Sequence, residues 1–588
     1  MVQINEKIKS LENLIKANPK SFINYFYLGD VYRKIKKYDF ALKNYLKSVK
    51  LNNKFPEGFN NLGNIYRELK DTKNSILFFK KAIKLNPNYI NAIYNLGVVF
   101  SELGKYEESG NCFKKVLKID SNHLPSLNNF GIILKNIEKY DEAIKCFEKI
   151  TYINPKFVKA YNNIGTISLE QGNIQKAVKN YKKVIELDPN NFVSYKNLIA
   201  TYENSNQIKK YEETLELAKN KFPNEKIFEL YSGILLFRKQ NFNDSIKKLE
   251  NTVFKDEDGN ESKRNFFLAR CYDRTNKIDK AFKHFKLANK IEKNSLKSKK
   301  FDKNRYLKTL EKRKNYFTKN NINKWKIIKY PKNNFNPVFL VGFPRSGTTL
   351  LDTILRSHPK INVIEEKPMV LKMVDKIKNR DLNSLEKITL SEIKLLQNQY
   401  LLELANHVKI ENNSSVYIDK LPLNIVNVAE IIRIFPNAKF ILVLRHPMDC
   451  VLSCFMQNFN PNDAMCNFLD LKDSAVLYKN AMELWDQYTS VLKINYVSIK
   501  YEDLVQNFKS NIKIIIKFLN LDWSESLLNY RETAIKRGRI STPSYYQVIQ
   551  PIYKYANQRW ERYRKHLAGI EHILGKSIKK YKYKKKPT

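Results

Sequence analysis

Phe339-Leu340-Val341-Gly342-Phe343-Pro344-Arg345-Ser346-Gly347-Thr348-Thr349-Leu350-Leu351 reads as a buried strand, a tight loop bracketed by two glycines, and the first turn of a helix. Such a loop aims backbone N–H groups at one point, and the helix N-terminus adds partial positive charge there. The stretch is a cradle for a phosphate-like anion. Gly342-x-x-x-x-Gly347 has the spacing of a nucleotide phosphate loop, yet Thr348-Thr349 stands where Lys-Ser/Thr would follow. A nucleoside triphosphate site uses that lysine on the β- and γ-phosphates and the hydroxyl on Mg2+. Here the cation is Arg345, inside the loop. The expected ligand is an anion smaller than a triphosphate, held by Arg345, Ser346, Gly347, Thr348 and Thr349 without a metal.

Downstream comes Val363-Ile364-Glu365-Glu366-Lys367-Pro368, then a short strand, Ser415-Val416-Tyr417-Ile418, running into Asp419-Lys420-Leu421-Pro422. Phe440-Ile441-Leu442-Val443-Leu444 leads into Arg445-His446-Pro447, with Ser453 eight residues past the arginine. Tyr496 to Lys500 leads into Tyr501-Glu502-Asp503-Leu504. A last cluster runs Ser541-Thr542-Pro543-Ser544-Tyr545-Tyr546-Gln547-Val548-Ile549-Gln550-Pro551, followed by Arg559-Trp560. In open α/β sheets, groups at the carboxyl ends of strands face the ligand crevice.

These motifs, in this order, resemble the sulfotransferases that use PAPS (3′-phosphoadenosine 5′-phosphosulfate). They are similar to those of tyrosylprotein sulfotransferases and of bacterial proteins that join TPR repeats to such a domain. The resemblance implies an α/β P-loop-type domain with a central parallel sheet and helices on both faces. It puts Glu366 in the role of catalytic base, with Glu365 as the rival. An acceptor hydroxyl must lose its proton as it attacks sulfur, and a phenol of pKa about 10 does so more easily than an aliphatic alcohol. By the same resemblance Arg345, Lys420 and Ser544 offset charge on the transferring group and its leaving phosphate. Under a small gap Ser541 takes the serine role instead. Arg445 and Ser453 would hold the 3′-phosphate, Tyr501 would touch the nucleotide, and Arg559 would bind phosphate. Gln457 stands where some relatives carry another arginine, so the grip on the 3′-phosphate is weaker or supplied elsewhere. His446 and His358 invite a catalytic reading but are assigned to structure, as is Asp419.

The chain has 588 residues, too many for one core. Lysine and arginine number 105 against 59 acidic residues, a net charge of +46. That surface favours acidic partners, although abundant lysine, asparagine and isoleucine also fit an AT-rich coding bias. The six cysteines form no CxxC pair and no zinc spacing. Cys450 and Cys454 share a helix face and are read as packing. With no apolar signal core at Met1–Lys7 and no long apolar run, the expectation is a cytoplasmic protein in a reducing compartment. The animal tyrosylprotein enzymes differ here, being membrane-anchored and lumenal.

The first half repeats itself. Leu28-Gly29, Leu62-Gly63, Leu96-Gly97, Phe130-Gly131 and Ile164-Gly165 recur at 34-residue steps, with weaker echoes at Leu198-Ile199 and Ser232-Gly233. Ala41, Ser75, Ser109, Ala143 and Ala177 march in step, as do Tyr45, Phe79, Phe113, Phe147 and Tyr181. Small residues let paired helices approach, and large ones fill the gaps. This resembles the tetratricopeptide repeat, an α-solenoid. Asn61, Asn95, Asn129, Asn163 and Asn197 each precede the marker pair. An amide can read a peptide backbone without reading its side chains, and the set resembles the asparagine ladder of O-GlcNAc transferase. The alternative is a solvated face.

The organisation expected is therefore about eight repeats over 5–290, a basic capping helix and linker over 291–336, a sulfotransferase domain over 337–575, and a disordered basic tail over 576–588, with seven lysines in its thirteen residues. The activity implied is sulfuryl transfer from PAPS to a polypeptide tyrosine held by the repeats. A sugar or small-molecule acceptor, with the repeats as a scaffold, is the alternative. A nucleotide-binding adaptor without catalysis and a P-loop kinase are rivals of other classes. The ordered set Arg345, Glu366, Lys420 and Arg445 argues against the adaptor, and the missing loop lysine against the kinase. No nucleic-acid motif accompanies the basic tail.

Overall fold

The computed structural model describes residues 2–255, 259–295, 298–330, 335–377, 381–410, 415–537 and 558–583. Two compact units emerge, 1–201 and 202–588.

After a leading helix, Val2–Ala17, first helices of successive pairs begin at 22, 56, 90, 124, 158, 192, 226 and 260, a constant step of 34. The marker glycines are where each pair closes. A Cβ at Gly63 would meet the Phe79 ring at 2.6 Å, and one at Gly165 the Tyr181 ring at 2.7 Å. The small-residue slot does more than leave room. The Ser75 and Ser109 hydroxyls donate to the Gly63 and Gly97 carbonyls at 2.9 and 2.8 Å, tying second helix to first inside an apolar seam. In the second unit the same bond recurs from Ser245 to Gly233 at 2.7 Å.

In that second unit, five strands form one parallel sheet: β1 (Val338–Gly342), β2 (Ile361–Glu365), β3 (Val416–Lys420), β4 (Lys439–Leu444) and β5 (Asn495–Lys500). Their order is β2-β3-β1-β4-β5. The sheet is apolar on both sides, as helices on both faces require. Leu340, Ile418, Ile441 and Ile499 bury against the helices Thr348–Arg356 and Phe508–Phe518. On the opposite face Phe339 stacks on Phe440 at 5.4 Å, with Tyr400 and Trp485 beyond.

Two stretches differ from their sequence reading. Within 291–336 the helix Lys303–Tyr316 packs beyond a capping role: Arg313 is buried, paired with buried Glu430, and donates to the Val426 carbonyl at 3.0 Å. The basic tail is not disordered from 576. The helix Glu571–Lys580 buries Leu574 and Ile578, and Tyr581 and Tyr583 donate to Asp486 and Glu502 at 3.1 and 3.2 Å. Tyrosines set between the lysines anchor the segment through 583; the rest of the tail lies outside the described residues. Among the described residues no helix is long and apolar enough to cross a membrane.

Candidate functional site

Parallel strands end on one edge, so motifs far apart in the chain meet there. Gly342, Glu365, Lys420, Leu444 and Lys500 are the last residues of β1 to β5. Glu365 pairs across the sheet with Lys420, Gly342 with Val443, and Leu444 with Lys500.

The loop after β1 is tight for two steric reasons. A Cβ on Gly342 would meet the Val443 carbonyl oxygen at 2.6 Å. Gly347 has φ 107°, and a Cβ there would strike the Tyr501 ring at 2.6 Å. Gly347 stands at the N-cap of the helix Thr348–Arg356 and, having no side chain, does not itself cover the N–H groups of the first turn. The Ser346 hydroxyl beside them is buried and has no hydrogen-bond partner among the described residues. A buried orphan hydroxyl costs free energy unless a ligand meets it, and its place beside a glycine-started helix suits an anion.

Next to the loop lies a cluster of four charges. Lys420, fully buried, places Nζ 3.0 Å from Glu365 Oε1, 3.1 Å from Glu366 Oε1 and 3.9 Å from Asp352 Oδ2. Burial works against its ammonium, but the carboxylates outweigh it and hold the Lys420 pKa above the ordinary lysine value. The two glutamates differ. The Glu365 side chain is 4% exposed, whereas that of Glu366 is 33% exposed. Glu366 also has φ 51°, with its N–H on the Lys420 carbonyl at 2.8 Å. Arg345 has φ 68°. The other described non-glycine residues of positive φ lie at helix ends; these two lie in the segments that follow β1 and β2.

On the other side of the loop, Arg345 Nε donates to Ser453 Oγ at 3.0 Å, and Arg445 Nη1 donates to the Arg345 carbonyl at 3.0 Å. The Arg445 guanidinium lies over the Tyr501 ring, 4.9 Å from its centre. Asp449, one turn into the next helix, is buried and its carboxyl is pushed up to about 6 by burial, against the pull of Arg445. Ser346, Gly347, Thr348, Thr349, Arg345, Arg445, Ser453 and Tyr501 thus come together, with Lys420 and Glu366 across the loop. Arg559 stands apart from them in its bonding: its guanidinium donates to Asp273 at 2.7 Å. Ser541 and Ser544 lie outside the described residues.

The histidines are structural. His358 accepts from the Lys360 N–H at 3.1 Å, and its other nitrogen meets the Asp522 carbonyl at 3.0 Å. His446 caps the helix Pro447–Phe455, stacks on Trp560 at 4.8 Å, and is pushed down to about 4 by burial and then by Arg445. Cys450 and Cys454 are buried and hydrogen-bonded to the Arg445 and Pro344 carbonyls, and burial pushes both thiols up. Sequence reasoning missed Asp352. Its signal was a carboxylate inside the apolar helix face Leu350-Leu351-Asp352-Thr353-Ile354-Leu355.

In the first unit, Asn61, Asn95 and Asn129 are half-buried, and their amides donate to Asp30, Asn60 and Tyr94 at 3.0 Å each. Asn163 and Asn197 are half-buried as well.

A tight glycine loop after the first strand of a parallel sheet, flanked by a lysine–carboxylate cluster and by the Arg345–Ser453 pair, is the arrangement of a P-loop-type α/β domain. Residues 337–525 match the model of the sulfotransferase family, and 29–70, 63–104, 90–123, 124–157 and 158–191 match tetratricopeptide-repeat models. The chain carries a sulfotransferase-family domain behind an array of tetratricopeptide repeats. It is similar to an uncharacterized protein of Aquifex aeolicus, 27% identical over 323 residues, covering 54% of this chain and 41% of that one. It is similar to protein-tyrosine sulfotransferase 1 of Danio rerio, 27% identical over 236 residues, covering 38% of this chain and 65% of that one. The chain thus spans less than two thirds of either relative. Among solved structures, YrrB, a TPR protein described as having an unusual peptide-binding site, aligns with TM-score 0.29 and 22% identity over 32% of this chain and 96% of its own.

Proposed function

We propose that the protein transfers the sulfuryl group of PAPS to an acceptor hydroxyl, and that the acceptor is a polypeptide tyrosine. The observation that carries this is the partly exposed Glu366 beside the buried Lys420 at the edge of the anion loop. PAPS supplies the sulfuryl group. The buried Ser346 hydroxyl and the glycine-started first turn fit its 5′-phosphosulfate, while Arg445 and Ser453 fit its second phosphate. Glu366 is the carboxylate with access to the cleft, so it accepts the proton of the attacking hydroxyl. Glu365, almost wholly buried, holds Lys420 in place. Lys420 and Arg345 offset charge at the leaving phosphate. Arg559 is a phosphate ligand only if it leaves Asp273 or binds while still paired to it.

The donor is tested by calorimetry with adenosine 3′,5′-bisphosphate and adenosine 5′-monophosphate. Wild type is expected to prefer the bisphosphate, and Arg445→Ala to lose that preference, roughly 10- to 100-fold. Equal binding of both nucleotides by wild type sinks the donor assignment.

The repeats are the proposed holder of the acceptor. The amides of Asn61, Asn95 and Asn129 already serve neighbouring side chains, so a bound strand would exchange those bonds for its own. Each exchange is worth little singly, about 0.5–1.5 kcal/mol. Alanine at all three positions should therefore raise the KM of a tyrosine peptide about tenfold and leave that of a free phenol alone. An unchanged peptide KM would turn the reading towards a sugar or small-molecule acceptor.

A further inference from the structure

The eighth helix pair, Asn260–Arg274 with Ile278–Asn294, does not stop at repeat packing. Asn289 donates to the Phe455 carbonyl at 2.8 Å, and Phe282 stacks on Phe455 and on His566 at 5.6 and 4.1 Å. Asp273 accepts from Arg559, Arg562 and Tyr563 at 2.7, 3.3 and 2.8 Å. One turn earlier, Arg270 Nη2 donates to Gln457 Oε1 at 3.3 Å. Gln457 lies one turn beyond Ser453, the residue whose hydroxyl accepts from Arg345. A side chain from the repeat array therefore reaches the arginine–serine flank of the anion loop.

The charge around Arg270 is lopsided. Its described polar partner is the neutral Gln457 amide, and its other neighbour is the Phe267 ring, 5.2 Å away. The nearby carboxylates are engaged elsewhere: Glu203 by Arg238, and Asp273 by Arg559, Arg562 and Tyr563. Burial, and then the charges of Arg238, Arg345 and Arg559, push the Arg270 guanidinium down to about 10 against the pull of Glu203. A partly desolvated guanidinium among cations is unfavourable until an anion joins it. Its planar fork suits a phosphate.

We propose that Arg270 is a phosphate-binding residue of the donor site, contributed by the last repeat pair and steered by Gln457 towards the second anionic group of a nucleotide whose first is held by the loop at 343–349. The assignment rests on the donor reading above. It makes the eighth repeat pair part of the nucleotide site, not part of a separate docking arm.

The test is calorimetry on the full-length protein with adenosine 3′,5′-bisphosphate and adenosine 5′-monophosphate. Arg270→Gln should weaken the bisphosphate roughly 10- to 100-fold and leave the monophosphate within about twofold. Adding Gln457→Arg to that variant returns a cation to the same spot from the opposite wall and should restore most of the loss. A merely structural arginine would show neither selectivity nor rescue. If Arg270→Gln does not fold, Arg270→Lys keeps the charge without the fork and should still weaken the bisphosphate about tenfold. No change in that variant overturns the assignment. If Arg445→Ala loses the bisphosphate preference and Arg270→Gln keeps it, the donor reading stands and the Arg270 assignment falls. If wild type shows no preference, the donor reading fails first and takes this one with it.

Discussion

Glu366→Gln is expected to lower kcat for sulfuryl transfer roughly 10²- to 10⁴-fold while calorimetric binding of adenosine 3′,5′-bisphosphate stays within a few-fold. The glutamine still offers Oε1 to Lys420, so the cluster keeps its geometry; what is lost is the group that takes the proton. Glu365→Gln is the control. Its side chain is 4% exposed and has Lys420 at 3.0 Å. It lacks the access to the cleft that Glu366 has, so its replacement should cost about tenfold in kcat and show mainly as lower stability. Initial rates at saturating donor and acceptor decide between them. A larger kcat loss for Glu365→Gln would hand the base role to that residue.

The contrast between the two glutamates was beyond the sequence, where they stand side by side. The strand-end residues were legible because strand, loop and motif are local, and a parallel sheet needs no further information to bring its carboxyl ends together. Lys420 and Arg445 could therefore be placed at strand ends from apolar runs, while Glu365-Glu366 was picked out by family resemblance. Which glutamate is the more exposed, Glu366 at 33% against Glu365 at 4%, is announced by no residue-type signal. The repeats were legible for a related reason: a constant 34-residue step leaves each Gly and its partner ring in fixed apposition.

What could not be read was anything set by contact between distant segments. Arg270 belongs to the last helix pair, and only the folded chain brings it within 3.3 Å of Gln457, 187 residues later. The Gln457 departure was visible in the sequence; the residue that answers it was not. Asp273 behaves the same way: a surface-type carboxylate by composition, it lies buried under Arg559, Arg562 and Tyr563. The tail misread has the opposite cause. Lysine density masked Tyr581 and Tyr583, and two aromatic anchors outweigh the solvation of the charges around them.

Lys420→Met should be the most damaging single change to the second unit, because it acts on stability and on chemistry together. Methionine matches the stem of lysine and leaves little cavity, so packing contributes little. The charge effect dominates. Lys420 faces Glu365 and Asp352, both nearly inaccessible, and Glu366. Arg356 still neutralises part of Asp352 at 3.0 Å, but Glu365 and Glu366 would lose the Lys420 ammonium at 3.0 and 3.1 Å. Breaking one side of a buried pair costs about 3–5 kcal/mol. All four tryptophans, at 325, 485, 523 and 560, lie in the 202–588 unit, so denaturation followed by their fluorescence reports this unit alone. The linkage has a definite sign. The Lys420 pKa is raised in the folded protein, so its stabilisation is fully present below the unfolded lysine value of about 10.4 and is lost as pH rises through the folded value. The stability gap between wild type and Lys420→Met should therefore hold steady from pH 7 to about 10 and close above that. A gap that persists undiminished in strong alkali would mean that Lys420 acts by packing. In transfer assays below the unfolding temperature the same variant should lose roughly 10²- to 10³-fold in kcat, the effect of removing one preorganised charge from a desolvated site. A variant that is destabilised yet fully active would confine Lys420 to holding the glutamates and leave Arg345 as the cation at the leaving phosphate.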